Sequence, residues 1–365
     1  MFELNLNQTK EAILRCMDAG LVPLVSSQPG VGKSAIVKAI AEENELELID
    51  LRLAQCEPSD LLGLPKVGEV KATYQPMSMF PLEGDEIPKG QKGWLLFLDE
   101  LRNADTQVQN ACYKLVLDRM IGTHHLHKEC FIVCASNREE DASFVTPMPS
   151  ALKSRLIHIN TALDFGTWVN YAYEKGIDSR IIAFLQHRPN LLSSSHTDSS
   201  EESYACPRTW EFLSNLIREY DFAKISKEDA FVLKAIVAGT VGSGVATEFM
   251  AYTNYFNKLP KYEDIIKNPA KAKKVDTNDI GLVWALIGAI AAKVTEKDFK
   301  AVLEYLIPNP EDLADSKNIS SDMFVVFRDM CKHKIDIFSK SKEMKSCNRW
   351  IDAIVDESLK YRGIY

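Results

Sequence analysis

Several things are scarce in this chain of 365 residues, and each absence narrows what the protein can be. No C-x-x-C pair occurs among the eight cysteines, Cys16, Cys56, Cys112, Cys130, Cys134, Cys206, Cys331 and Cys347. Scattered in this way, they read as reduced, mostly buried thiols of a cytoplasmic protein. A basic excess is missing too: 51 acidic residues stand against 43 basic ones, a net charge of -8. That argues against a dedicated nucleic-acid binder, and the lysine cluster from Lys267 to Lys274 reads as a solvated loop face. No apolar run is long enough for a membrane span. The most apolar one, Ile280 to Ala292, falls short of the roughly 18–20 residues required and is expected to be a buried helix. The opening MFELNLNQTKEAIL lacks the basic and apolar regions of a secretory signal. The run His124, His125 and His127 has no companion ligands at metal-site spacing, so it is read as part of a hairpin.

What is present divides in two. Asn7 is expected to cap a helix over TKEAILRCMDA. LVPLVSS, ELELIDLRL, WLLFLDE and CFIVCASN are short apolar stretches of strand type, and SAIVKAIAEEN and DTQVQNACYKLVLDRM between them have helical spacing. Alternating strands and helices predict a parallel sheet covered on both faces over residues 1–165. Beyond Asp164 the strand signals fade and DSRIIAFLQHR, TWEFLSNLIREY and KEDAFVLKAIVAG read as helices. A Ser-rich stretch at 192–204 is expected to be a long loop. The expected division is an α/β core at 1–165, a helical segment at 166–225 and a helical region at 226–365.

The chemistry sits at the strand ends. In SQPGVGKSA, Gly30 and Gly32 permit a tight loop, Lys33 suits β/γ-phosphates and the Ser34 hydroxyl suits Mg²⁺. The loop itself, Gln28, Pro29, Gly30, Val31, Gly32, Lys33, Ser34 and Ala35, is expected to wrap phosphate with backbone N–H groups. The G-x-x-x-x-G-K-[ST] pattern departs at its first position, where Ser27 replaces glycine. WLLFLDE ends in Asp99, suited to hold Mg²⁺, and Glu100, suited to orient or deprotonate a water. A third strand ends at Asn137, whose carboxamide can hold that water or the γ-phosphate. Arg155 and Arg208 follow as the two cations that such a site uses.

The series SQPGVGKS, LLFLDE, CASNRE, MPSALKSR, CPRTWE resembles an AAA+ ATPase. LDELRNADTQVQNACYKLVLDR, GIDSRIIAFLQHRPNLL and LAQCEPSDLLGLP resemble the MoxR branch of that family. The likeness is strong to about residue 220 and loose beyond. It implies a P-loop AAA+ parallel-sheet core, a helical lid over 166–225 and an all-α C-terminal region. It implies ATP and Mg²⁺ bound at subunit boundaries of a ring, usually a hexamer. By position Lys33 and Ser34 match Walker A, Asp99 and Glu100 match Walker B, Asn137 matches sensor 1, Arg155 the arginine finger and Arg208 sensor 2. Hairpins are implied within Gly63–Pro81 and Ile121–Phe131. Arg102 departs from the branch, where Asn is usual; it either pairs with a carboxylate or serves as a second interface arginine.

Three functions compete. The first, implied by the resemblance, is a chaperone-like ATPase that remodels or assembles a protein partner carrying a von Willebrand factor A-type domain. The alternative is an AAA+ nucleic-acid motor or loader, which predicts a basic, aromatic-lined pore. The third is a non-hydrolysing nucleotide switch, which the presence of Glu100, Asn137 and both arginines disfavours.

Overall fold

The computed structural model describes residues 2–138, 146–194, 202–222 and 225–308. Most of the Ser-rich stretch, the C-terminal region beyond 308, and Cys331 and Cys347 lie outside the described residues. The chain forms two compact units, divided between Thr167 and Trp168.

The first unit begins with a strand, β1 (Glu3–Leu4), and helix α1 (Leu6–Asp18). The helix is capped by Asn5, not by Asn7 as the sequence suggested. Asn5 accepts from the Gln8 N–H while the Gln8 side chain accepts from the Asn5 N–H, a reciprocal box that Asn7, already the second residue of the helix, is too late to form. There follow β2 (Val22–Ser27), α2 (Lys33–Glu43), β3 (Leu46–Arg52) and α3 (Pro58–Leu62). A hairpin of β4 (Leu64–Val67) and β5 (Ala72–Gln75) comes next, then β6 (Gly93–Asp99) and α4 (Thr106–Asp118). A second small hairpin, β7 (Met120–Ile121) and β8 (His124–His125), leads to β9 (Cys130–Asn137), α5 (Ser150–Lys153) and β10 (Leu156–Thr161).

The main sheet runs β1-β10-β2-β9-β6-β3, with every neighbouring pair parallel. Its inner strands are apolar on both faces, as a sheet covered twice requires. The period of two sorts them. Val25, Leu95, Phe97, Val133 and Ala135 join α1 and α2 in one buried cluster. Leu24, Leu96, Leu98, Ile132 and Cys134 join α4 and α5 in the other. Burial lifts the Cys112 and Cys130 thiols to about 12 and pushes Cys134 well up too, so these cysteines are inert packing groups.

The second unit is helical. It continues α6 (Phe165–Glu174) and adds α7 (Ser179–His187), α8 (Pro207–Ile217), α9 (Lys227–Val241), α10 (Ser243–Thr253), α11 (Tyr262–Lys267), α12 (Ile280–Lys293) and α13 (Phe299–Leu306). The apolar run foreseen as a buried helix is α12. It lies against α7 so closely that a Cβ at Gly288 would meet the Ala183 methyl at 2.7 Å. No helix of the described residues is long and apolar enough to cross a membrane.

One close approach fixes where β6 starts. A Cβ at Gly93 would sit 2.2 Å from the Glu129 carbonyl oxygen, whose partner is the Trp94 N–H at 2.9 Å. Gly93→Ala should therefore lower stability by about 1–3 kcal/mol. Gly239→Ala, in α9 with nothing within 4 Å, should be neutral or slightly stabilising. Thermal melts of the two variants, followed by circular dichroism, check the contrast.

Candidate active site at the carboxyl ends of β2, β6 and β9

In a parallel sheet the strand ends that carry outgoing loops lie along one edge, the usual place for a ligand in open α/β folds. Here that edge gathers Ser27 from β2, Asp99 from β6 and Asn137 from β9. Ser27 and Asn137 are register partners in adjacent strands, and their side chains meet at one ammonium group. The Lys33 Nζ donates to Asn137 Oδ1 at 2.9 Å, to Ser27 Oγ at 3.1 Å, and to the carbonyl oxygens of Gln28 and Ser27 at 3.3 and 3.4 Å. Ser34, at the next helical position, donates its hydroxyl to Asp99 Oδ2 at 3.2 Å. Asp99 Oδ1 in turn accepts the Glu100 N–H at 2.8 Å.

The loop between β2 and α2 is shaped by its glycines. Gly30 has φ 76° and Gly32 φ 109°, both in the left-handed region that residues with a Cβ avoid. Gly32 caps α2 without a side chain, so no side-chain oxygen occupies the first-turn N–H groups. Val31 is buried and anchors the loop, whereas Ser34 and Ala35 are exposed. Glu100 is a rarer case. It adopts φ 59° and ψ 34°, a left-handed conformation uncommon for a residue with a side chain, in the turn that leaves β6. Nothing in the spacing of WLLFLDE announces it.

The two arginines singled out by sequence do not join this cluster in the same way. Arg155, just after α5, donates to the Ala151 carbonyl at 2.5 Å and holds its guanidinium 4.3 Å from the centre of the Tyr113 ring. Tyr113 lies on α4, 42 positions away, and sequence reasoning had no spacing signal by which to find it. Arg208 is an exposed residue in the first turn of α8, within the second unit. Arg102 uses its backbone, donating its N–H to Ser136 Oγ at 3.3 Å and accepting from the Thr146 N–H at 2.9 Å. Arg138, next to Asn137, forms an ion pair with Glu3 at 2.9 Å and donates to the Thr161 carbonyl at 2.8 Å, fixing the end of β9. Among the described residues no group of three or more His, Cys, Asp or Glu side chains is placed to hold a metal ion.

A second carboxylate stands near Asp99. Asp50, on β3, has its pKa raised by loss of solvent first and by the Asp99 charge second, with Arg52 opposing. Two carboxylates therefore lie close together beside the start of α2.

Residues 23–159 match the family described as "ATPase family associated with various cellular activities (AAA)". No curated protein matches the chain in sequence. Among solved structures it is similar to NtrX from Brucella abortus, at 17% identity and TM-score 0.36, over 60% of this chain and 52% of that one. It is similar to a RuvB mutant from Thermotoga maritima, at 17% identity and TM-score 0.37, over 82% of this chain and 89% of that one. The chain thus spans about half the length of the NtrX chain, 52%, in the first of these alignments.

The raised Asp50 carboxyl has a consequence for pH. A folded pKa above the unfolded one means the folded state holds the proton more tightly, so stability falls as pH rises through the carboxylate range and the cost is complete at neutrality. Asp50→Asn should raise the melting temperature near pH 7, with the gain vanishing below about pH 4. Melts across that range, without nucleotide or divalent cations, check it; an equal gain at both ends would place its origin elsewhere than in charge.

Proposed function

We propose that this chain, which carries an AAA ATPase domain over residues 23–159, binds and hydrolyses ATP at a site completed between subunits of a ring, and uses the cycle to remodel or assemble a protein partner. The observation that carries the reading is the pairing of Lys33 with Asn137 and of Ser34 with Asp99, which ties the start of α2 to the carboxyl ends of β9 and β6.

Each residue then has a task. The backbone N–H groups of Gly30 to Ser34 and the Lys33 ammonium receive the phosphates. The Ser34 hydroxyl and the Asp99 carboxylate, 3.2 Å apart, form the oxygen pair that suits Mg²⁺, which keeps several waters and takes few protein ligands. Bound there with the nucleotide, the cation supplies charge neutralisation at the phosphates. Glu100 orients the attacking water and takes its proton, and Asn137 holds the water or the γ-phosphate. Arg155 serves the site of a neighbouring subunit; its half-exposed guanidinium, stacked on Tyr113, is pre-shaped for such a role. In this reading residues 166–225 act as a lid that supplies Arg208, and residues from 226 onward are a docking or ring-stabilising region. The finer assignment is a MoxR-type remodeller, with a six-membered ring and a partner bearing a von Willebrand factor A-type domain. It rests on the sequence motifs and on the acidic net charge of -8, which suits a protein substrate better than a polyanion.

ATP turnover per subunit should rise steeply with protein concentration in the presence of Mg²⁺, because a site shared between subunits needs assembly. Lys33→Ala should abolish tight nucleotide binding. Glu100→Gln should keep binding and lose at least about a hundredfold in turnover. Turnover that stays constant down to concentrations where light scattering shows monomers would remove the ring from the proposal, and unaltered binding by Lys33→Ala would remove the site.

A further inference from the structure

The position at which the loop departs from its usual pattern is where the structure adds something. Ser27 stands in place of the first glycine, is fully buried, and is the last residue of β2. Its hydroxyl donates to the Gln28 carbonyl at 2.9 Å, which spends its one proton and leaves its lone pairs free to accept. One of them receives the Lys33 ammonium at 3.1 Å. The ammonium has three protons, yet at least four oxygens crowd it: Ser27 Oγ, Asn137 Oδ1 and the carbonyls of Ser27 and Gln28. An arriving phosphate oxygen must displace one of them. The two carbonyls belong to the backbone at the end of β2 and the start of the loop, and cannot leave without moving it. Of the two side chains, Ser27 is locked by its bond to Gln28, whereas no other bond of the Asn137 carboxamide is seen among the described residues.

We propose that Ser27 is a positioning residue for Lys33: its hydroxyl keeps the ammonium in place when Asn137 turns from lysine to phosphate or water. The inference rests on the nucleotide-site reading above and deepens it. A glycine at this position would leave Asn137 as the only side chain of the register pair able to hold the lysine, so placing the lysine and sensing the phosphate would fall to one carboxamide. With Ser27 the two tasks are divided between adjacent strands.

The test is a double-mutant cycle read by calorimetric titration with Mg²⁺ and the non-hydrolysable ATP analogue AMP-PNP. Ser27→Ala removes the hydroxyl, and Ser27→Gly restores the residue usual in such loops; a circular-dichroism melt of each confirms folding. Each should weaken binding by about fivefold, the loss of one hydrogen bond to a charged group. Asn137→Ala alone should weaken it by up to about fivefold, the loss of its own bond to phosphate, because Ser27 still holds the lysine. Combined with Ser27→Ala it should cost well beyond the product of the two factors, since the lysine then loses both acceptors of the register pair. A merely structural role for Ser27 would give factors that multiply. Multiplying factors, or binding by both Ser27 variants as tight as wild type or tighter, would overturn the proposal; tighter binding would mean that the hydroxyl competes with phosphate. Lys33→Ala, titrated alongside, separates the two levels. Wild-type binding by Lys33→Ala would sink the nucleotide-site reading itself, whereas its loss with Ser27 indifferent would sink only this inference.

Discussion

A buried or half-buried ammonium has to be surrounded by oxygen, and the first unit is arranged around meeting that demand for Lys33. Its partners come from three places in the sequence: the end of β2, the loop after it, and the end of β9. Only a parallel arrangement brings the carboxyl ends of β2 and β9 side by side, with Ser27 opposite Asn137. A parallel sheet in turn needs crossover helices on both faces and strands apolar on both sides. The all-buried VPLVSS of β2 and the nearly all-buried GWLLFLD of β6 follow from that requirement. A register slip of one residue would carry Ser27 Oγ to the other face of the sheet and place a core residue at the lysine.

That logic explains which parts of the molecule could be read from sequence. The inner strands announced themselves because double burial leaves short, unbroken apolar runs. The candidate site residues stand out because each lies at the polar end of such a run: Ser27 to Ser34 from the end of β2, Asp99 and Glu100 at the end of β6, Asn137 at the end of β9. The two-residue strand β1 is too short to carry a pattern and exists only because β10 offers it an edge. The cap of α1 depended on which of two asparagines has a glutamine three residues on, and Asn5 has Gln8. Long-range pairings such as Tyr113 under Arg155, or Asp50 near Asp99, have no local signature. They arise from the order in which strands and helices are placed, which composition and periodicity do not encode.

Ser27 is the most instructive of these, since its identity was plain and its meaning was not. As a letter in a motif it counts as a departure from glycine. As a residue in space it supplies an acceptor at the point where the motif's lysine needs one. The backbone demand that usually favours glycine is absent here: Gly30 and Gly32 carry the left-handed angles of the loop, and Ser27 is still part of the extended strand β2. The position is therefore open to a side chain, and a hydroxyl suits a small, dry space facing a cation.

The charges around the loop also bear on how ligands of the proposed site would bind. Loss of solvent first, and the Asp99 charge second, already raise the Asp50 carboxyl. A nucleotide adds several negative charges beside them, and Lys33 alone offsets only one. At the short distances of a phosphate site, each uncompensated pair of like charges costs on the order of a few kcal/mol near a protein surface. In the proposed site a divalent cation held by Ser34 and Asp99 would offset that repulsion. The nucleotide and the cation should accordingly bind as a unit, with each strengthening the other by the same factor. The hydrogen bond from Ser34 to Asp99 keeps the two oxygens near each other, and in the proposed site both would be available to hold the cation.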